Sequence, residues 1–200
     1  GGTVILTIMT NDPAGPCPAV SDAMVLTINT VPAPPSPITG ITPVCQNQNG
    51  VAYSVTNVGG VTYAWAYSGA GFTCTIGCAT NSILASFSPA ATSGVLSVTP
   101  SNACGTGTSR TLFISVNTAP SAPTQGTHTP SETQIIWNWN TSAGATSYYY
   151  NTVNNFGTAT NNGASTSHPQ TGLTCSTPYT LYVWAFNTCG NSTATTLNQT

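Results

Sequence analysis

The sequence predicts an all-β protein, built as tandem β-sandwiches with an incomplete module at the N-terminus. Along the 200 residues, short segments alternate apolar with polar residues, and Gly, Pro or Asn separates most of them. Together with 19 Gly and 15 Pro, this pattern is typical of many short strands joined by turns. A strand–turn–strand unit carrying a Cys recurs about every 86 residues, which indicates tandem modules.

The near absence of charged side chains excludes several functions. Charged residues make up 2% of the chain, against roughly 25% in ordinary soluble proteins. A single Arg and no Lys are available to neutralise phosphates, so we expect no nucleic-acid partner. The few carboxylates argue against a calcium site. A net charge of −2 favours association, as in a polymer or a tightly packed surface layer.

The cysteine content indicates where the protein works. Seven cysteines in a chain so poor in charge predict an oxidising, extracellular or cell-surface location. No apolar run is long enough to span a membrane, so we expect no membrane insertion.

The repeat divides the chain into three parts. Its Cys-containing turns hold Cys17, Cys104 and Cys189, which are 87 and 85 residues apart, the size of immunoglobulin-like modules. The spacing predicts a last hairpin (strands F and G) plus linker over 1–32, a complete sandwich over 33–118 and a second one over 119–200.

The middle module has its own candidate landmarks. Trp65, in "YAWAY", takes the place of the core Trp on strand C of a sandwich. Cys45 and Cys104 lie near the start of the module and in its F–G region, and we expect them to form its disulfide. Cys74 and Cys78 ("CTIGC") then form a local clip. A metal site is the less favoured alternative, because zinc needs four ligands.

Three segments of this module, "PVCQNQNGVAYSV", "GGVTYAWAY" and "NACGTGTSRTLFISV", resemble the PKD-like/Ig-like repeats of large secreted Bacteroidetes proteins. The resemblance implies a β-sandwich spacer in a long cell-surface or type IX-secreted protein. It implies no catalysis.

The third module, with "TQIIWNWNTSAGATSYYYNT" and "TGLTCSTPYTLYVWAFNTCGNST", resembles a fibronectin type III domain. The resemblance makes Trp139, or Trp137, the strand-B Trp and places Tyr179 at the tyrosine corner. Such domains serve adhesion, spacing and enzyme attachment alike, so the resemblance specifies fold rather than function.

Alternation along strand F of this module turns Leu181, Val183 and Ala185 inward with Tyr179. Aromatic side chains then face outward beside the tyrosines of strand C. The candidate residues for this aromatic strip are Tyr148, Tyr150, Tyr182, Trp184 and Phe186. Three interpretations are open: packing on the protein's own sheet or a neighbouring module, a subunit interface, and a platform for stacking sugars.

Three cysteines have no predicted partner within the chain. Cys175 and Cys189 flank strand F, about 30 Å apart at 3.3 Å per strand residue, too far for a disulfide. These two and Cys17 are therefore candidates for free or intermolecular cysteines. We expect Cys17 to pair with upstream strands.

A search for chemistry predicts no enzyme, metal site or cofactor. His128 and His168 are expected in loops, and the acids are Asp12, Asp22 and Glu132. No catalytic motif is present, and a Glu132–His128 pair is expected to be solvated surface.

The leading hypothesis is a non-enzymatic structural or adhesive segment of an extracellular modular protein. Its partners are neighbouring modules, or a surface polysaccharide or protein ligand. The alternatives are a filament subunit, whose N-terminal hairpin completes a sheet of an identical subunit, and a carbohydrate-binding appendage of a secreted enzyme.

Overall fold

A computed structural model of the chain describes residues 1–10 and 18–200. The first element is a hairpin of two antiparallel strands, β1 (Gly2–Met9) and β2 (Ser21–Ile28), paired from Gly2↔Ile28 to Met9↔Ser21. Every residue of both strands is exposed. We call this element the first hairpin.

The next ten strands form a complete sandwich, which we call the middle module. Its strands are β3 (Thr39–Gly40), β4 (Val44–Cys45), β5 (Val51–Ser54), β6 (Thr62–Tyr67), β7 (Phe72–Ile76), β8 (Ser82–Phe87), β9 (Gly94–Asn102), β10 (Gly105–Thr106), β11 (Arg110–Ile114) and β12 (Val116–Asn117). One sheet has the order β3-β5-β8-β7, and β9 joins β6, β10 and β11 in the other. The short strand β4 runs parallel to β12. This is the arrangement of an immunoglobulin-like sandwich.

Alternating residues of both sheets fill the core between them. Tyr53, Ile83 and Phe87 come from one sheet, and Leu96 and Val98 from the other, all at most 1% exposed. Trp65 packs against this core at its edge, and its indole Nε1 donates to the carbonyl of Thr80 over 2.8 Å. The half-buried strands confirm the alternation predicted from the sequence.

The remaining strands form a second sandwich, the third module. They are β13 (Thr129–Pro130), β14 (Gln134–Asn138), β15 (Ser147–Asn151), β16 (Thr160–Asn161), β17 (Ser167–Thr171), β18 (Tyr179–Asn187), β19 (Gly190–Asn191) and β20 (Thr195–Gln199), with a 3₁₀ turn at Phe156–Thr158. One sheet has the order β13-β14-β17. In the other, β16 and β15 precede β18, which also pairs with β19 and β20.

Two tryptophans and a tyrosine organise this core. Trp137 and Trp139 are 0% and 3% exposed, so both of the residues proposed for the strand-B position are buried. The hydroxyl of Tyr179 accepts a hydrogen bond from the backbone N–H of Thr174 over 2.8 Å. This contact is the tyrosine corner expected from the fibronectin resemblance. No helix in the described part of the chain has the length and hydropathy needed to cross a membrane.

Candidate functional site

Outside the two cores, the most specific contacts lie at two joints. The first joint is where the first hairpin meets the middle module, and the second joint is where the middle module meets the third module. At the second joint, Asn187 is 9% exposed and its side-chain nitrogen donates to the carbonyls of Thr118 (2.9 Å) and Gly144 (3.0 Å). The Thr195 hydroxyl donates to the carbonyl of Pro123, a buried linker residue. The linker is therefore held against the third module.

A disulfide between Cys45 and Cys189 closes the same joint, with 5.4 Å between the Cα atoms. The predicted Cys45–Cys104 pair is therefore wrong, as is the expectation that Cys189 has no partner in the chain. The reason lies in the course of β4. It runs parallel to β12 with Cys45 opposite Asn117, which carries Cys45 to the end of the module that faces the third module.

The other cysteines divide into a confirmed pair and free thiols. Cys74 and Cys78 form the predicted local disulfide, four residues apart. Cys104 and Cys175 are exposed free thiols. The expectation that Cys175 and Cys189 do not pair with each other is confirmed. The prediction for Cys17 falls outside the described residues.

The first joint repeats the hydrogen bonds of the second. Asn102 donates from its side-chain nitrogen to the carbonyl of Thr30 over 2.9 Å, as Asn187 does to Thr118. Arg110 Nε donates to the carbonyl of Pro35 over 3.1 Å, and Pro35 is buried. At both joints, the Cys-containing turn of one module thus binds the end of the last strand of the preceding unit.

The first hairpin presents an apolar face to solvent. Directly opposed residues of an antiparallel pair share a face, so the register places one apolar set together. Its members are 41–73% exposed: Val4, Leu6, Ile8, Met24, Leu26 and Ile28. The β9–β11 pair has the same pattern, in which Leu6↔Met24 corresponds to Leu96↔Leu112. Leu96 is 0% exposed, so this face matches one that is buried in a complete sandwich.

The predicted aromatic strip does not exist as one surface. Tyr148 lies opposite Ala185, and Tyr150 opposite Val183, so both tyrosines face the core. Tyr148 is 4% exposed. The prediction that these two share a face with the aromatics of β18 is wrong, because the register places Tyr149 there instead.

Trp184 also differs from the prediction, because it is 3% exposed. The sequence reasoning missed the ring that covers it. Phe156, in the 3₁₀ turn, packs edge-on against Trp184 at 5.9 Å between ring centroids and stacks on Phe186 at 6.1 Å. Tyr182 and Phe186 stay partly exposed. The aromatics of this face therefore cover their own sheet.

Neither histidine lies in a solvent-exposed loop. His128 is 8% exposed, and its Nδ1 accepts from the backbone N–H of Asn138 over 3.0 Å. His168 lies in β17, not in a loop, and stacks on Tyr150 with 3.7 Å between centroids. Burial lowers the pKa of both imidazoles. The prediction that His128 is solvated surface is wrong.

The described residues hold no cluster of three or more His, Cys, Asp or Glu side chains able to bind a metal ion. The features that remain distinctive are the two joints and the apolar face of the first hairpin.

Comparisons with known proteins found one family model and several solved structures similar to this chain. Residues 31–114 match the family model described as a PKD-like domain. Domains A168–A170 of titin align over 98% of this chain and 74% of their own, at 14% identity and a TM-score of 0.49. The chicken CNTN1 FN1–FN3 domains align over 90% and 71%, at 17% identity and a TM-score of 0.40. No curated protein sequence matches the chain.

Proposed function

We propose that the chain is a non-enzymatic structural segment of an extracellular modular protein, in which sandwiches are held end to end by rigid joints. The observation that carries the proposal is the Cys45–Cys189 disulfide between two separately cored modules. The proposal keeps the module boundaries predicted from the sequence, which follow residues 32 and 118. They fall beside the two threonines, Thr30 and Thr118, whose carbonyls the joints hold.

The position of the disulfide suggests a mechanical role. Tension applied to the two chain ends passes from Cys45 directly to Cys189, so the intervening residues do not bear it. Residues 46–188 would then add no length under tension, even when the sandwiches lose their packing. Disulfides persist outside the reducing cytosol, which supports a cell-surface or secreted location.

Single-molecule force spectroscopy on the chain, held by its ends, tests this role. In oxidised protein we expect the residues between Cys45 and Cys189 to release no contour length. The variant Cys45→Ser/Cys189→Ser should release roughly 480 Å, since 144 residues extend by about 3.3–3.6 Å each. Cys74→Ser/Cys78→Ser is the matched control and should behave like the parent. Equal extension of the oxidised parent and the joint variant would contradict the proposal.

A filament subunit is the second candidate, and the exposed apolar face of the first hairpin favours it. In that case the hairpin would be donated to the sheet of another copy, and head-to-tail contacts of this kind propagate a fibre. Electron microscopy of the parent should then show polymers, and a chain lacking residues 1–30 should form none. Fibres from the shortened chain would end this candidate.

The carbohydrate-binding alternative has less support, because Trp184 and Tyr148 offer no exposed ring for stacking. Its test is retention of the chain on a polysaccharide affinity gel, which Tyr182→Ala should reduce.

A further inference from the structure

We propose that Cys104 forms a disulfide with a cysteine of the preceding module in the same polypeptide, so that the first joint is bridged as the second one is. The inference rests on the proposed function, because it names the covalent partner at one of the joints. It concerns a thiol that is exposed and free in this structure.

The first argument is that the turns carrying Cys104 and Cys189 are built alike. The backbone N–H of each cysteine donates to the side-chain oxygen of the Asn two residues earlier, over 2.9 Å and 2.8 Å. The glycines that follow them, Gly105 and Gly190, have φ angles of +131° and +129°. In the turn of this geometry at the second joint, the cysteine is disulfide-bonded.

The second argument is that both turns hold the same element of the preceding module. Asn102 and Asn187 each donate to the carbonyl of a threonine over 2.9 Å, Thr30 in one case and Thr118 in the other. Both threonines follow an asparagine in a similar segment, "INTVP" and "VNTAP". Asn29 comes directly after β2, and Asn117 is the last residue of β12. Cys104 therefore faces the end of β2 as Cys189 faces the end of β12.

The third argument concerns where the cysteine that pairs with Cys104 would lie. At the second joint, β4 fills the space beside the strand end: Val44 donates to the carbonyl of Ser115 and Gln46 to that of Asn117, both over 2.9 Å. By the repeat, the carbonyls of Thr27 and Asn29 correspond to these acceptors.

At the first joint, no described strand takes the place of β4. A groove of about 400 Å³ borders Cys104 and the end of β2, and its lining includes Gly1, Asn29, Thr30 and Asn102. A short strand parallel to the end of β2, with a cysteine opposite Asn29, would occupy the position that Cys45 has beside Asn117.

The repeat also indicates which chain supplies this strand. Cys45 belongs to the module whose last strand it flanks, and it precedes its partner by 144 residues. The same separation counted back from Cys104 ends upstream of Gly1. The partner is thus a cysteine of the module that ends in the first hairpin, preceded by an apolar residue as Cys45 is by Val44.

The bond forms by ordinary thiol chemistry. The Cys104 thiol and the partner thiol together lose two protons and two electrons, and one S–S bond forms between them. A disulfide-bearing oxidant, such as an oxidised thiol oxidoreductase, accepts the electrons and protons, and its own S–S bond becomes two thiols.

Disulfide mapping of the natural protein tests the inference. Free thiols are blocked with N-ethylmaleimide in denaturant without reductant, and the digested peptides are identified by mass spectrometry. We expect the Cys104 peptide to be linked to a cysteine peptide from upstream of Gly1, and the protein to run as a single chain without reductant. A maleimide adduct on Cys104, a bond to another cysteine of these 200 residues, or a bond to a second polypeptide would overturn the inference.

The same map separates this inference from the proposed function. A linked Cys45–Cys189 peptide with a blocked Cys104 refutes only the inference, whereas a map without the Cys45–Cys189 link removes the basis of the rigid joint. Cys175 is the internal reference, since its exposed thiol should be blocked by maleimide to a greater extent than Cys104.

Discussion

The middle module meets a neighbour at each end, and the two neighbours differ although the contacts are built in the same way. At both ends an Asn of a Cys-containing turn holds the carbonyl of a Thr. One neighbour has its own core and a disulfide to the middle module. The other is a hairpin whose strands are exposed throughout. The comparison teaches that the joint depends on the strand end and the turn, not on a complete sandwich on both sides.

In this structure the second joint has a disulfide and Cys104 at the first joint is a free thiol, so removing the disulfide should have the largest effect on stability. In the chain-entropy view, closing a loop of 144 residues stabilises the folded state by about 5 kcal/mol, and closing a four-residue loop by about 2 kcal/mol. Cys45→Ser/Cys189→Ser should therefore lower the free energy of unfolding more than Cys74→Ser/Cys78→Ser. Urea titration of both variants measures this difference, and equal losses would contradict the expected loop dependence.

The second prediction sharpens the contrast between the buried and the exposed hairpin. Leu96→Ala removes a fully buried side chain and should cost about 3 kcal/mol of folding free energy. Leu6→Ala occupies the equivalent register position but is 50% exposed, so its effect should stay within about 0.5 kcal/mol. Chemical denaturation followed by circular dichroism measures both.

A loss for Leu6→Ala comparable to that for Leu96→Ala would show that the first hairpin is covered in solution. The apolar face would then already have an occupant in the isolated chain, as in the filament hypothesis. Concentration-dependent unfolding of the parent would support that explanation.

The third prediction concerns the hydrogen bonds that the joints share. Asn187→Ala removes donors to two carbonyls and an acceptor for the Cys189 N–H, and should cost about 1 to 2 kcal/mol because the site is buried. Asn102→Ala removes the matching contacts at a more open joint and should cost less than about 1 kcal/mol. Thermal unfolding ranks the two, and the reverse order would contradict the burial argument.

The smallest expected effect is a pH dependence of stability, and it should act on the third module only. Both histidines lie in the third module, and burial lowers the pKa of each. The unfolded chain therefore binds more protons than the folded module as pH falls below about 6.5. The free energy of unfolding should therefore be highest above that pH. It should decrease as pH falls towards the folded-state pKa values of the two histidines.

Urea midpoints at pH 7.5 and 5.5, followed by tryptophan fluorescence, test this expectation. Three of the four tryptophans, Trp137, Trp139 and Trp184, belong to the third module. His128→Gln should reduce the pH difference, since the remaining histidine is His168. Equal midpoints at the two pH values would show that neither imidazole is desolvated.

Features that depend on nearby residues were predictable. The Cys74–Cys78 clip follows from a spacing of four residues, and the inward set of β18 follows from simple alternation. The tyrosine corner is likewise local, because Tyr179 and Thr174 are five residues apart. These features need no knowledge of how separate segments meet.

Apart from His168, which was expected in a loop but lies in β17, the errors involve segments that meet only after folding. Trp184 was expected to be exposed because alternation says which sheet face a residue takes, not whether another segment covers that face. Phe156 covers it from a turn 28 residues earlier in the chain. Tyr148 and Tyr150 were placed on the wrong face because the register between β15 and β18 cannot be read from either strand alone.

The sequence by itself determined the all-β architecture, the repeat and the two sandwiches, because strand alternation and turn residues act over a few positions and recur. Only the tertiary structure decided that Cys45 meets Cys189. That pairing depends on β4 running parallel to β12 and on the F–G turn of the next module receiving the strand end. Contacts between residues 144 positions apart are set by topology, for which local patterns carry no signal.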